Sequence, residues 1–156
     1  MLAKELKENK VDFVDNILSY MSGSFPGLKR VKQYVAEETI QAGEYLIKQG
    51  DASNDLFFIE SGLVSVEFEA SNGKKERLRS VQSGVTVGEV AFYLGGLRSA
   101  SVKAECTSTV YRLTKKILNQ IQREDPTLAS LLHEWLGHLL AERLASNTLM
   151  TELLMD

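Results

Sequence analysis

The sequence predicts a mainly β fold, a small roll of short strands with α-helices before and after it. Three observations carry that prediction. Between residues 39 and 113, short apolar segments recur at regular spacing, divided by Gly43, Gly50, Gly62, Gly73 and Gly84. Within that region, residues 63–70 set Val64, Val66 and Phe68 against Ser65, Glu67 and Glu69, the period of two of a half-buried strand. On either side, the apolar residues return at steps of three and four, the period of a helix. Many short strands with glycine turns make a sandwich, a jelly roll or a barrel.

Val11, Phe13, Val14, Ile17, Leu18 and Met21 place an amphipathic helix over residues 11–21. Ser22, Gly23 and Ser24 end it. Pro26 opens a second helix with an apolar face of Leu28, Val31 and Tyr34, ending near Val35. Strands are expected from Thr39 through Ile40, then over residues 45–48, 56–60, 63–70, 75–81, 99–105 and 109–113. Ser71-Asn72-Gly73 is a hairpin turn, because Asn-Gly accepts the positive φ angles such turns need. Thr114 caps a helix over residues 115–123. Asp125-Pro126 begins a longer one with a stripe of Leu128, Leu131, Leu132, Trp135, Leu136, Leu139, Leu140 and Leu144, continuing towards Leu149 and Leu153. The chain thus reads as one domain in three parts: N-terminal helices 1–38, the roll 39–114, and C-terminal helices 115–156.

At 156 residues the chain has room for one ordinary domain with a real core. Hydrophobic residues at 44% and charged ones at 25% suit a soluble globular protein. A net charge of -3, with no dense Lys/Arg face, gives no reason to expect nucleic acid or an anionic membrane as partner. No apolar run reaches the ~18 residues of a membrane span, and the charged start resembles no signal peptide. The lone Cys106 excludes an internal disulfide and fits a reducing, cytoplasmic compartment.

The chemistry gathers between residues 87 and 104. Gly88 ends a turn, Val90 to Leu94 form one short apolar stretch of helix, and Gly95-Gly96 break it before Arg98. Free amides at a helix start attract phosphate, and an arginine beside them can bind phosphate oxygens through two parallel hydrogen bonds. A carboxylate at the other end, Glu89, accepts from hydroxyl groups such as those of a ribose, or serves the helix dipole.

Gly88-Glu89 followed by Arg98-Ser99-Ala100 resembles the phosphate-binding cassette of cyclic nucleotide-binding domains. That family includes bacterial catabolite activator proteins, regulatory subunits of cyclic-AMP-dependent kinase and cytoplasmic domains of cyclic-nucleotide-gated channels. Gly50-Asp51, the run 56–62 and Val64-Ser65-Val66 resemble the family's earlier signature in the same order. The likeness extends over residues 40–144. The run 45–104 is also similar to nucleotide-binding-like domains appended to bacterial sulfate-permease-type transporters.

The resemblance implies an eight-stranded jelly roll with a short cassette helix and a C-terminal hinge and lid helix. It makes Arg98 the ligand of the cyclic phosphate and Glu89 the acceptor of the ribose 2′-hydroxyl. Gly88 would approach the sugar closely, and Val90 and Ala91 would stand at the amide-bearing helix start. Ser99 and Ala100 would give a hydroxyl and a backbone amide to the phosphate. Val66 and Leu78 fall where the family places apolar contacts to ribose and base, and ordinary core serves equally for each. Arg79 would reach the purine edge. Glu142-Arg143-Leu144 resembles the arginine-containing stretch of the lid helix, which sets Arg143, Asn147 and Thr148 towards the base. Val87 stands where the family commonly has an aromatic, and Leu97 where it often has proline.

The expected function is regulatory binding of a cyclic nucleotide, cyclic AMP ahead of cyclic GMP, in a module that is not an enzyme and carries no cofactor or metal. No effector segment follows, so the chain is expected to be a fragment or a stand-alone sensor, with a homodimer through the C-terminal helix as one partner. The alternative is a degenerate domain of the same fold, kept for protein–protein contact. A metal enzyme on a jelly roll would need several histidines facing one another. His133 and His138 lie five apart on one helix, about 140° around it from each other, and cannot share an ion.

Overall fold

The computed structural model describes residues 27–82 and 84–155. The helix expected over residues 11–21 lies outside them, as do the side chains of Asn147, Thr148, Leu149 and Leu153. The described elements, in order, are α1 (Leu28–Val31), β1 (Ala36–Ile40), β2 (Tyr45–Ile47), β3 (Leu56–Ser61), β4 (Leu63–Glu69), β5 (Lys75–Gln82), β6 (Thr86–Val87), α2 (Glu89–Leu94), β7 (Ser101–Ala104), β8 (Ser108–Leu113), α3 (Lys115–Glu124) and α4 (Pro126–Met155). The eight strands form two antiparallel sheets, in the orders β1-β8-β3-β6 and β2-β7-β4-β5. This is the β-roll with flanking helices that the sequence predicts.

The first sheet is a middle layer. Successive side chains of a strand point to opposite faces. In β3, Phe57 and Ile59 face the second sheet, with Val64, Val66, Val81, Val102, Ala104 and Val110. Leu56 and Phe58 face the other way, into a second core with Phe92, Leu113, Leu118, Ile121, Leu132, Trp135 and Leu136. Burial on both faces explains why β3 reads as an unbroken apolar run. Trp135 stacks on Phe58 with centroids 6.1 Å apart, which fixes α4 against the sheet.

Turn and cap chemistry sets the boundaries. Gly73 adopts φ +85° in the β4–β5 hairpin, where its N–H donates to Ala70 O at 2.9 Å. The Thr114 hydroxyl accepts from Ile117 N at 3.1 Å, and Asp125 Oδ1 accepts from Leu128 N at 3.2 Å, so each C-terminal helix starts at a side-chain cap.

Several boundaries differ from the sequence expectation. α1 is a single turn rather than a helix to Val35, and β1 begins at Ala36 rather than Thr39. Ala and Glu have little strand preference. Pairing with β8 imposes the strand, through Ala36↔Arg112 to Ile40↔Ser108. β6 is two residues long, too short for any periodicity to mark it. β7 spans Ser101–Ala104, narrower than residues 99–105, because Ser99 and Ala100 stay in the loop after α2. Leu144, placed on the apolar stripe of α4, is 68% exposed. The inward face runs through the buried Leu132, Leu136 and Leu139 to the half-buried Arg143, at steps of three and four.

Candidate functional site

α2 and its flanks form the floor of a small cavity between the two sheets. It is lined by Ile47, Val66, Arg79, Val87, Gly88, Glu89, Val90, Ala91, Leu97, Arg98, Ser99, Ala100 and Val102, and its volume is about 90 Å³. Nine sequence-predicted residues thus come together: Gly88, Glu89, Val90, Ala91, Arg98, Ser99, Ala100, Val66 and Arg79. Leu78 does not join them. It sits at an irregularity in the β4–β5 register, between Arg77↔Glu67 and Arg79↔Val66, and is 57% exposed. Asn147 and Thr148 lie in α4, their side chains outside the described residues.

Arg98 is buried, and its fork is largely held by the protein. Nε donates to Ser53 Oγ at 3.0 Å, Nη1 to Gly88 O at 3.0 Å and Nη2 to Asp55 O at 2.6 Å. Its backbone is tied to the same loop: Arg98 N donates to Asp51 O and Gly50 N to Arg98 O, both at 2.8 Å. A guanidinium has five N–H donors. These contacts leave one hydrogen on each terminal nitrogen. Burial holds the Arg98 pKa below its ordinary range, against the opposing pull of Asp55.

Gly88 makes that arrangement possible. It has φ +89°, and a Cβ there would meet Asp55 O at 2.8 Å and Arg98 Nη1 at 2.9 Å. Both conditions exclude a side chain.

Glu89 is buried beside two arginines. Arg79 Nη2 lies 3.5 Å from its Oε1, and Arg143 Nη1 also contacts Oε1. Arg143 arrives from α4 and donates through Nη2 to Thr86 O at 3.0 Å. Burial, then the charge of Arg79, push the Arg143 pKa down to about 10; it stays a cation at neutral pH. Burial lowers Arg79 as well. Among the described residues, Glu89 Oε2 is buried with no hydrogen-bond partner. A buried acceptor left open costs free energy until a donor reaches it.

Sequence reasoning missed Ser53 and Asp55, which hold Arg98, and Ile47, which lines the cavity; Val87, Leu97 and Val102 stood inside the stretch 87–104 without being singled out as lining residues. The Gly50-Asp51 signature marked the loop of the first two without naming them. Among the described residues no cluster of three or more His, Cys, Asp or Glu could hold a metal ion, and no helix is long and apolar enough to cross a membrane.

Comparison with known proteins identifies the family. The family model described as "Cyclic nucleotide-binding domain" matches residues 37–125. The mouse potassium/sodium hyperpolarization-activated cyclic nucleotide-gated channel 2 is 32% identical over 91 residues, 58% of this chain and 10% of the channel. The chain thus spans about a tenth of the length of such curated relatives. Among solved structures, a cyclic nucleotide-binding domain from Methylobacillus flagellatus superposes with TM-score 0.71 at 25% identity, covering 75% of this chain and 66% of that one. Thermus thermophilus catabolite activator protein gives TM-score 0.71 at 26% identity, covering 81% and 58%. The regulatory domain of Toxoplasma gondii PKA, crystallised with cAMP, gives TM-score 0.55 at 26% identity, covering 60% and 36%.

Proposed function

The chain belongs to the cyclic nucleotide-binding domain family, and from that premise we propose that it is a regulatory module that binds cyclic AMP in preference to cyclic GMP. One observation carries the reading. A buried arginine with two spare N–H groups and a buried carboxylate with an open oxygen line the same cavity, on either side of a glycine that admits no side chain. The arginine suits a phosphate diester and the carboxylate suits a sugar hydroxyl. Arg98 binds the cyclic phosphate, helped by Ser99, Ala100 and the amides around Val90 and Ala91. Glu89 Oε2 accepts the ribose 2′-hydroxyl, and Val66 and Arg79 lie towards sugar and base. The preference for cyclic AMP is supported by the similar kinase regulatory domain solved with that nucleotide.

The cavity is far smaller than the roughly 300 Å³ at which ordinary ligand pockets begin. Arg143 engages Glu89 Oε1 from α4, so its withdrawal, with the end of α4, would free that carboxylate for the sugar. Ligand binding shifts α4 by its differential affinity for the two positions, and that motion is the output signal. A homodimer through α4, in the cytoplasm, is the setting proposed for it.

The same small cavity, with Glu89 engaged by two arginines, favours a second reading: a domain of this fold that binds no nucleotide and serves protein contact. Displacement of a fluorescent cyclic-AMP analogue by unlabelled cyclic AMP and cyclic GMP separates the two. Saturable displacement, weakened in Glu89→Gln, supports the sensor, whereas no specific binding supports the alternative.

A further inference from the structure

We propose that Arg112 is a positioning residue for Arg98, fixing the cassette guanidinium through the Asp55 corner. The inference rests on the functional reading above in that Arg98 is taken as the phosphate ligand.

Arg98 is held by groups of the loop between β2 and β3, Ser53 and Asp55, and by Gly88 O. Residues 51–55 of that loop belong to no helix or strand, so something else must fix their position. Asp55 carries the load at two points. Its carbonyl accepts from Arg98 Nη2 at 2.6 Å, and its carboxylate accepts from Arg112 Nη1 at 2.8 Å. Arg112 sits in β8, paired with β1 on one side and β3 on the other. Two more of its donors fork onto Glu38 of β1, Nε to Oε2 at 2.7 Å and Nη2 to Oε1 at 3.2 Å. Its guanidinium lies over the Phe57 ring, 4.8 Å from the centroid. A planar fork on one carboxylate, a third donor on a second carboxylate and a stacked face fix a guanidinium closely. Asp55 is thereby pinned to a three-strand frame, and Arg98 is pinned to Asp55.

Arg112 does not line the cavity, so it acts through Asp55. Position and charge predict opposite results at Glu38. By charge alone, losing the Arg112 cation would weaken anion binding and losing the Glu38 carboxylate would tighten it. By position, losing either one frees the Asp55 corner and weakens binding.

The test uses Arg112→Gln, with Glu38→Gln as a milder second variant, in the full chain. Two readouts are taken: the Arg98 Nε–H resonance in the unliganded protein, and cyclic-AMP affinity by calorimetry. The expected result is a displaced or broadened Arg98 resonance, and affinity lower by roughly tenfold, the low end of what removing the partner of a metal-ligating side chain costs in metal affinity. Glu38→Gln should shift the resonance in the same direction by less. An unchanged resonance in both folded variants, or affinity equal to or tighter than the native value, overturns the proposal. Absence of binding by the native protein overturns the functional reading alone, and the resonance then decides the positioning role by itself.

Discussion

Gly88 is the residue on which the site depends most directly. Its φ of +89° costs an L-residue about 1–2 kcal/mol, and a Cβ would also press on the Asp55 carbonyl and the Arg98 guanidinium. Gly88→Ala is therefore expected to lower stability by at least that amount and to abolish ligand binding, as read by urea denaturation and titration. Stability within about 0.5 kcal/mol of the native value would contradict the account. Glu89→Gln keeps the shape but removes the charge between Arg79 and Arg143. The expected loss is about 1–3 kcal/mol, below the ~3–5 of a fully buried pair, because the Arg79 side chain remains 37% exposed. Chemical denaturation checks it, and a stabilised variant would show that Glu89 is not the counter-charge of the pair. The identities of Glu89 and Arg98 are legible in sequence, since they stand in one short stretch. Their anchors are not. Ser53 lies 45 residues from Arg98, and no local period connects them.

At the scale of elements, α4 joins the cassette to the core. Trp135, 1% exposed and stacked on Phe58, is its anchor. Trp135→Ala should cost about 3–5 kcal/mol by loss of packing, measurable as a lower denaturation midpoint; a loss under about 1 kcal/mol would place the anchor elsewhere. A second link is polar: the Tyr93 hydroxyl on α2 meets His133 Nδ1 on α4 at 2.9 Å, with Gln122 at His133 Nε2 and Lys115 over the Tyr93 ring. Burial, then the charge of Lys115, hold the His133 pKa below its ordinary range. The unfolded chain therefore takes up the proton first as pH falls, so this contribution is full above about pH 6.5 and is lost below it. Denaturation midpoints at pH 7.5 and 5.5 should fall for the native protein and fall less for His133→Gln. An equal fall in both would exclude His133 as the source. The leucine stripe made α4 legible, but it could not say where the helix leaves the roll. Leu144 turns to water and Arg143 turns inward, because the buried face meets the carbonyl of Thr86 and the carboxylate of Glu89 there.

Across the whole molecule, seven of the eight strands and the C-terminal helices were readable in order from periods and turn glycines, and the eighth strand, β6, came only with the family resemblance. Long-range pairing was less so. β1 is a strand because β8 makes it one, and the middle sheet carries two cores because helices cover its far face. The same long-range contacts bring the Gly50–Asp55 loop to Arg98, and Arg79 and Arg143 to Glu89. The proposed role of the cavity is to hold a cyclic nucleotide through Arg98. The most direct measurement is calorimetric titration of the purified chain, cleared of co-purified nucleotide, with cyclic AMP and with cyclic GMP, alongside Arg98→Ala. The account predicts saturable binding at micromolar or lower concentration, tighter for cyclic AMP, and its loss in the variant. A well-folded native protein that gives no heat with either nucleotide, or an Arg98→Ala protein that binds as the native one does, would contradict it.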